Sequence, residues 1–116
     1  MSNTVSDKSK DFAVRIVKMY KYLCEEKHEN VLSKQVLRSG TSIGANIAEA
    51  QGGQSRKDFI AKMSIALCES RETAYWLELL ERTEYITSEQ YESIASDCDE
   101  LLKLLVAIVK SSRMNK

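Results

Sequence analysis

A chain of 116 residues, with 29% charged and 43% hydrophobic residues, no proline and four glycines, fits one domain over residues 1–116 and suits long helices far better than sheets. Lys+Arg and Asp+Glu both number 17, which excludes the overall basicity of a dedicated polyanion binder. No apolar run nears the roughly 18 residues of a membrane span, and the polar start MSNTVSDKSKDF lacks the apolar centre of a signal peptide, so a cytoplasmic protein is expected.

The first predicted helix begins near Asp7 or Ser9 and runs to about Lys27. Phe12, Ile16, Met19, Tyr20 and Leu23 share one face, with Arg15, Lys18, Lys21 and Glu25 mostly opposite. Glu26 to Ser33 reads as a polar turn in which Ser33 or Asn30 caps the second helix. That helix contains RSGTSIGANIAEAQGG. Its glycines and serines look loop-like, yet at about 100° per residue Val36, Gly40, Ile43, Ile47 and Ala50 fall on one face. Gly40 and Gly44 each cost roughly 1 kcal/mol of helix propensity, so a neighbouring backbone is expected to come close there. Leucine at either position should then destabilise by about 1–3 kcal/mol, while alanine should be near neutral. Gly52-Gly53 is expected to end the helix through a left-handed C′ residue. No strand precedes these glycines and no Gly-Lys-Ser/Thr follows, so a phosphate-cradling loop is unsupported.

The third helix starts at Ser55, with Asp58 completing a box-like cap, and reaches about Arg82. Phe59, Met63, Ala66, Ser70, Thr73 and Leu77 form its stripe; Ile60 and Leu67 widen one side, Ile65, Trp76 and Leu80 the other. Thr87-Ser88-Glu89-Gln90 is a capping box for the fourth helix. There Tyr91, Cys98, Leu102, Leu105 and Val109 line the core face, with Leu101, Leu104 and Ile108 on a flank.

Short connections favour an all-α, up-down-up-down antiparallel four-helix bundle. A bundle helix needs a stripe a little over 100° wide, whereas the third helix carries about 220° and the second about 180°. The surplus assigns Ile65, Trp76, Leu104 and Ile108 to a contact between copies, in a homo-oligomer.

The stretch SGTSIGANIAEAQGGQSRKDFIAKMSIALCESRETAYWLELL resembles the signature of the four-helix-bundle proteins first named for intervening sequences in 23S ribosomal RNA genes. The motif positions are Ser42, Asn46, Glu49, Ser55, Phe59, Ser70 and Glu72; Ala50 departs from the family's usual glycine. The resemblance implies an antiparallel four-helix bundle, often a ring-shaped homopentamer, with no established enzymatic activity. It also implies relatives among the accessory proteins of diversity-generating retroelements, basic barrels that partner a reverse transcriptase and bind nucleic acid.

Zero net charge conceals an asymmetry. In the antiparallel bundle, one end gathers Lys8, Lys10, Arg15, Lys18, Arg56, Lys57, Lys62, Lys110, Arg113 and Lys116 against Asp7, Asp11, Glu49 and Asp58. The other end collects Glu25, Glu26, Glu29, Glu78, Glu81, Glu84, Glu89 and Glu92. A ring of such protomers would sum its basic ends into a footprint for RNA or DNA, contacted by Lys8, Lys10, Arg56, Lys57, Lys110 and Arg113. Catalysis has little basis. The single histidine, His28, sits in the charged turn EEKHEN, no Glu-x-x-His pattern exists for a di-metal bundle, and no cofactor is implied. Cys24, Cys68 and Cys98 are far apart and read as reduced thiols. The leading expectation is a non-enzymatic oligomeric interaction module serving nucleic acid or a nucleic-acid enzyme. The alternative is a structural or protein-binding assembly without nucleic-acid contact.

Overall fold

The computed structural model describes residues 4–53 and 55–114, so Lys116 of the basic set lies outside the described residues. Four helices account for nearly all of them: α1 (Val5–Glu25), α2 (Leu32–Gln51), α3 (Arg56–Arg82) and α4 (Ser88–Met114), with no strand among the described residues. α1 starts earlier than Asp7 because Thr4 caps it, its Oγ1 accepting from the Asp7 backbone N–H at 3.1 Å. Ser55 caps α3 in the same way, accepting from Asp58 N–H at 3.1 Å. Thr87 and Gln90 close a reciprocal box at α4: Thr87 N–H donates to Gln90 Oε1 at 2.8 Å, and Gln90 N–H to Thr87 Oγ1 at 3.1 Å.

Two boundaries correct the sequence expectation. Neither Asn30 nor Ser33 caps α2. Its first N–H groups are held by the Glu29 carboxylate, which accepts from Val31 (3.1 Å), Leu32 (2.9 Å) and Ser33 (2.7 Å), while the Ser33 hydroxyl donates back to the Glu29 carbonyl at 2.8 Å. Glu29 is thus 8% exposed and belongs to a cap rather than to a solvated acidic surface. At the other end of α2 no glycine has a positive φ. Gly53 is needed for a different reason: a Cβ there would lie 3.0 Å from the Ala50 carbonyl oxygen. The left-handed positions fall instead on His28 (φ 54°) and Glu84 (φ 68°), in the α1–α2 and α3–α4 turns.

Each helix packs on its sequence neighbours and α1 also meets α4, whereas among the described residues the backbones of the diagonal pairs, α1 with α3 and α2 with α4, do not come close and meet only through core side chains. Pairings fix the directions. Ile16 faces Gly40 while Ser9 faces Gly44; Arg38 reaches Glu69 and Glu49 reaches Lys62; Glu81 meets Ser88 and Ser64 meets Arg113; Lys8 reaches Glu100 and Arg15 reaches Asp97. All four neighbouring pairs are therefore antiparallel, in a body 48 × 27 × 21 Å across.

The core is built as much from close polar fits as from bulk. A Cβ on Gly40 would lie 2.8 Å from Ile16 Cγ1, so α1 and α2 touch there because position 40 has no side chain. At Gly44 the nearest atom is Ser9 Oγ, at 3.2 Å. A methyl group at Gly40 would press on fully buried Ile16, which is stiff at χ1, so alanine there should cost stability rather than be near neutral. Between α2 and α3, the single hydroxyl proton of fully buried Thr73 is shared between Ser39 Oγ at 2.9 Å and the Glu69 carbonyl, one turn earlier on α3, at 2.8 Å. Between α3 and α4, Cys98 Sγ donates to the Ser70 carbonyl at 3.4 Å. Among the described residues no buried side-chain N or O atom lacks a partner. On α4 the core face is Ile94, Cys98, Leu101, Leu105 and Val109. Leu101 is 1% exposed and belongs to the core rather than a flank, Leu102 is only half-buried, and Ile94 was not anticipated.

Candidate interaction surfaces

At the end of the bundle where α3 begins and α4 finishes, Arg56, Lys57 and Arg113 line one open groove with Ile60 and Ser112. Arg113 Nη2 also reaches Ser64 Oγ on α3 at 3.5 Å. Lys10 and Lys110 are exposed. The remaining predicted contact, Lys8, is drawn onto α4, where Nζ bonds Glu100 at 2.9 Å. Arg15 is engaged in the same way: Nη1 bonds Asp97 at 2.6 Å and the Ser93 carbonyl at 3.2 Å, and Nη2 bonds Ser93 Oγ at 2.9 Å. Lys62 pairs with Glu49 at 2.8 Å. Three of the six predicted contacts therefore converge, and the cationic excess is smaller than the sequence tally, which left out Asp97 and Glu100.

A second surface covers the α2–α3 seam. Arg38 bridges Glu69 (3.3 Å) and Glu72, while Trp76 Nε1 donates to Glu72 Oε2 at 3.0 Å. The Trp76 N–H, with Arg38 beside it, holds the Glu72 carboxyl below its usual range. Tyr75 stands edge-on to Trp76, ring centroids 5.1 Å apart at 74°. The indole is half-buried against the core with its one polar atom already satisfied, so covering its remaining face would strand no donor. Ile65 is 42% exposed. The other two predicted interface residues lie elsewhere. Leu104 follows Asp97 and Glu100 by two turns and one turn on the flank of α4 that faces α1, and Ile108 continues that flank. Ile65 and Trp76 border α2, whereas Leu104 and Ile108 border α1, so the four do not form one patch.

The motif residues have structural partners. Ser42 Oγ donates to the Arg38 carbonyl (2.7 Å) and Asn46 Nδ2 to the Ser42 carbonyl (2.9 Å). Glu49 and Ser55 hold the Lys62 pair and the α3 cap; Phe59 is half-buried against the core; Ser70 Oγ donates to the Leu67 carbonyl at 2.7 Å; Glu72 joins Arg38 to Trp76. The Arg38–Glu72–Trp76 group was not anticipated as a unit, although Glu72 and Trp76 one turn apart carried the signal.

Among the described residues no group of His, Cys, Asp and Glu could hold a metal ion. His28 is exposed in its turn. Burial, with Asp99 adding to it, pushes the Cys98 thiol up to about 12, so it is a core thiol rather than a nucleophile. Cys68 is exposed and Cys24 half-buried, its sulfur 3.7 Å from Ser33 Oγ. No helix is long and apolar enough to cross a membrane, among the described residues.

The family model for the 23S rRNA-intervening sequence protein matches residues 1–107. A crystal structure of a protein of unknown function from the S23 ribosomal protein family of Bacteroides thetaiotaomicron is 65% identical, covering 92% of this chain and 99% of that one at a TM-score of 0.91. No curated protein matches.

Proposed function

The chain belongs to the 23S rRNA-intervening sequence protein family, and from that premise we propose a non-enzymatic, homo-oligomeric interaction module that binds the phosphate backbone of RNA or DNA through its basic end. The observation that carries the reading is the convergence of Arg56, Lys57 and Arg113 on one open groove. Such cations displace counterions from a polyanion without reading its sequence. No aromatic ladder accompanies them, so stacking on single strands is not part of the mode.

The assembly is a ring. What supports this is the separation of the two apolar flanks: Trp76 with Ile65 beside α2, and Leu104 with Ile108 beside α1. Unlike surfaces on different sides of a subunit make a head-to-tail contact, and such contacts close into rings when the rotation allows. The resemblance described above gives five as the number. Side by side in a ring, the subunits point their basic ends the same way, which multiplies the charge of the groove. This cytoplasmic ring would act as an adaptor between nucleic acid and an enzyme that works on it, with no chemistry of its own.

A second reading, a protein-binding or structural assembly without nucleic acid, draws on one observation: Glu100 and Asp97 hold two of the cations of the basic end. Fluorescence anisotropy with labelled duplex DNA and RNA separates the readings. On the first, affinity falls steeply between about 50 and 200 mM salt, and Arg56→Glu with Lys57→Glu abolishes binding while light scattering still finds the oligomer. No binding by the wild type at low salt selects the second.

A further inference from the structure

We propose that the bundle opens along the α1–α4 seam, turning about the α2–α3 interface, with Arg15 and Lys8 as its latch. α1 and α4 approach each other over by far the shortest stretch of the four neighbouring pairs, while α2 and α3 share the longest. Beyond these approaches α1 and α4 meet through the shared core, to which Phe12, Ile16, Leu101 and Leu105 belong. The other three seams are fastened inside the core by Ile16 against Gly40, Thr73 on Ser39, and Cys98 on Ser70.

The polar contacts across the α1–α4 seam centre on two ion pairs whose partners are all partly in water. Side-chain exposure is 29% and 52% for Lys8 and Glu100, and 39% and 47% for Arg15 and Asp97. Beyond Arg15, towards the α3–α4 turn, the helices leave a groove of about 670 Å³ lined by Met19, Tyr22, Ile86 and Ile94. The Arg15 guanidinium closes the inner end of that groove by gripping Ser93 and Asp97, one turn apart on α4. Salt weakens such a latch, because pairs this exposed are screened. Opening lengthens the groove along α4 and brings Leu101, 1% exposed when closed, to solvent. The device is independent of any ligand at the basic end.

Thiol labelling reads the opening. In a chain with Cys24→Ser, Cys68→Ser and Cys98→Ala, Leu101→Cys places a reporter at the seam and Leu80→Cys one at the opposite interface; both leucines are at most 1% exposed. Maleimide labelling, followed by mass spectrometry under native conditions, should be faster at position 101 than at 80 and should accelerate with salt at 101 alone. Adding Arg15→Ala should raise the rate at 101 roughly two- to fivefold at low salt, the range for a part-exposed ion pair, and the exchange Arg15→Asp with Asp97→Arg should restore it. If Leu101→Cys does not fold, Ile94→Cys, 2% exposed on the same groove, carries the reporter. Equal rates at the two interfaces, or no response to Arg15→Ala, would overturn the proposal.

Discussion

Gly40 and Gly44 occupy successive turns of α2, face the same helix, and should respond oppositely to a single methyl group. A Cβ at Gly40 meets Ile16 Cγ1 at 2.8 Å, Cγ2 at 2.9 Å and Cδ1 at 3.0 Å, all on a β-branched side chain that is fully buried. Overpacking of that kind costs about 1–3 kcal/mol, and the gain in helix propensity returns only about 1 kcal/mol. Gly40→Ala should therefore destabilise by about 1 kcal/mol net, within a range of roughly 0–2. At Gly44 the same methyl meets Ser9 Oγ at 3.2 Å and Ser9 Cβ at 3.5 Å, contacts that a shift of a few tenths of an ångström relieves. Gly44→Ala should then be neutral or stabilising by up to about 1 kcal/mol. For a chain of this size, 1 kcal/mol moves the melting temperature by about 4 °C.

Urea titration followed by helical circular dichroism measures both variants, and a double-mutant cycle identifies the cause. Ile16→Ala alone should cost about 2–5 kcal/mol. In that background all three offending atoms are gone, so Gly40→Ala should change sign and stabilise. Were Gly40→Ala more stable than wild type, or equally harmful with and without the Ile16 side chain, the close approach would not be what position 40 is for.

Trp76→Ala should lower the assembly state seen by light scattering before it lowers helicity, because aromatic anchors carry a large share of interface energy; loss of both in parallel would assign the indole to the core alone. Glu29→Gln should weaken the α2 cap by about 1 kcal/mol. Burial raises the Glu29 pKa, but the backbone N–H groups of Leu32, Ser33 and Val31 outweigh it and hold the carboxyl below its ordinary value. The lowered pKa means this stability is full above the ordinary glutamate range and is lost as pH falls through the folded-state value; melting curves of Glu29→Gln should accordingly show a shallower acid limb. Thr73→Val keeps the shape but strips the donor to Ser39, and should cost about 1–3 kcal/mol at denaturant midpoint.

The four helices were legible because each signal is local: a stripe at helical spacing, capping boxes at Ser55 and Thr87, and no proline to interrupt. The α2 cap was not, since a glutamate ahead of the first turn is outside the usual Ser/Thr/Asp/Asn vocabulary and only the fold bends Glu29 back onto Val31, Leu32 and Ser33. The glycine pair was placed correctly at the end of α2, yet its reason is contact with the Ala50 carbonyl rather than a left-handed turn. For the candidate surfaces, counting charges by bundle end brought out Arg56, Lys57 and Arg113 but could not foresee Lys8 turning along the seam to Glu100. That contact joins residues far apart in the chain, and its register depends on how two helices slide past each other. The same blindness placed Leu101 outside the core and grouped Trp76 with Leu104, since a helical wheel gives angles on one helix and not the bearing of its neighbours.

With close backbone approaches running only around the square among the described residues, three of the four interfaces join helices that follow each other in sequence, and only the narrowest joins the chain's beginning to its end. Such low contact order favours fast folding, since each hairpin closes a short loop and the costly long-range closure is left for last, where least depends on it. An even number of antiparallel helices also brings Val5 and Met114 to the same end of the body. A circular permutant cut at Gly52–Gly53 would run α3–α4–α1–α2. The loose seam would become a hairpin, and the broad α2–α3 interface would be the one assembled across the whole chain. The native order is thus a kinetic arrangement as well as a structural one: it spends its connectivity on the interfaces that hold the bundle and leaves unlinked the one that can part.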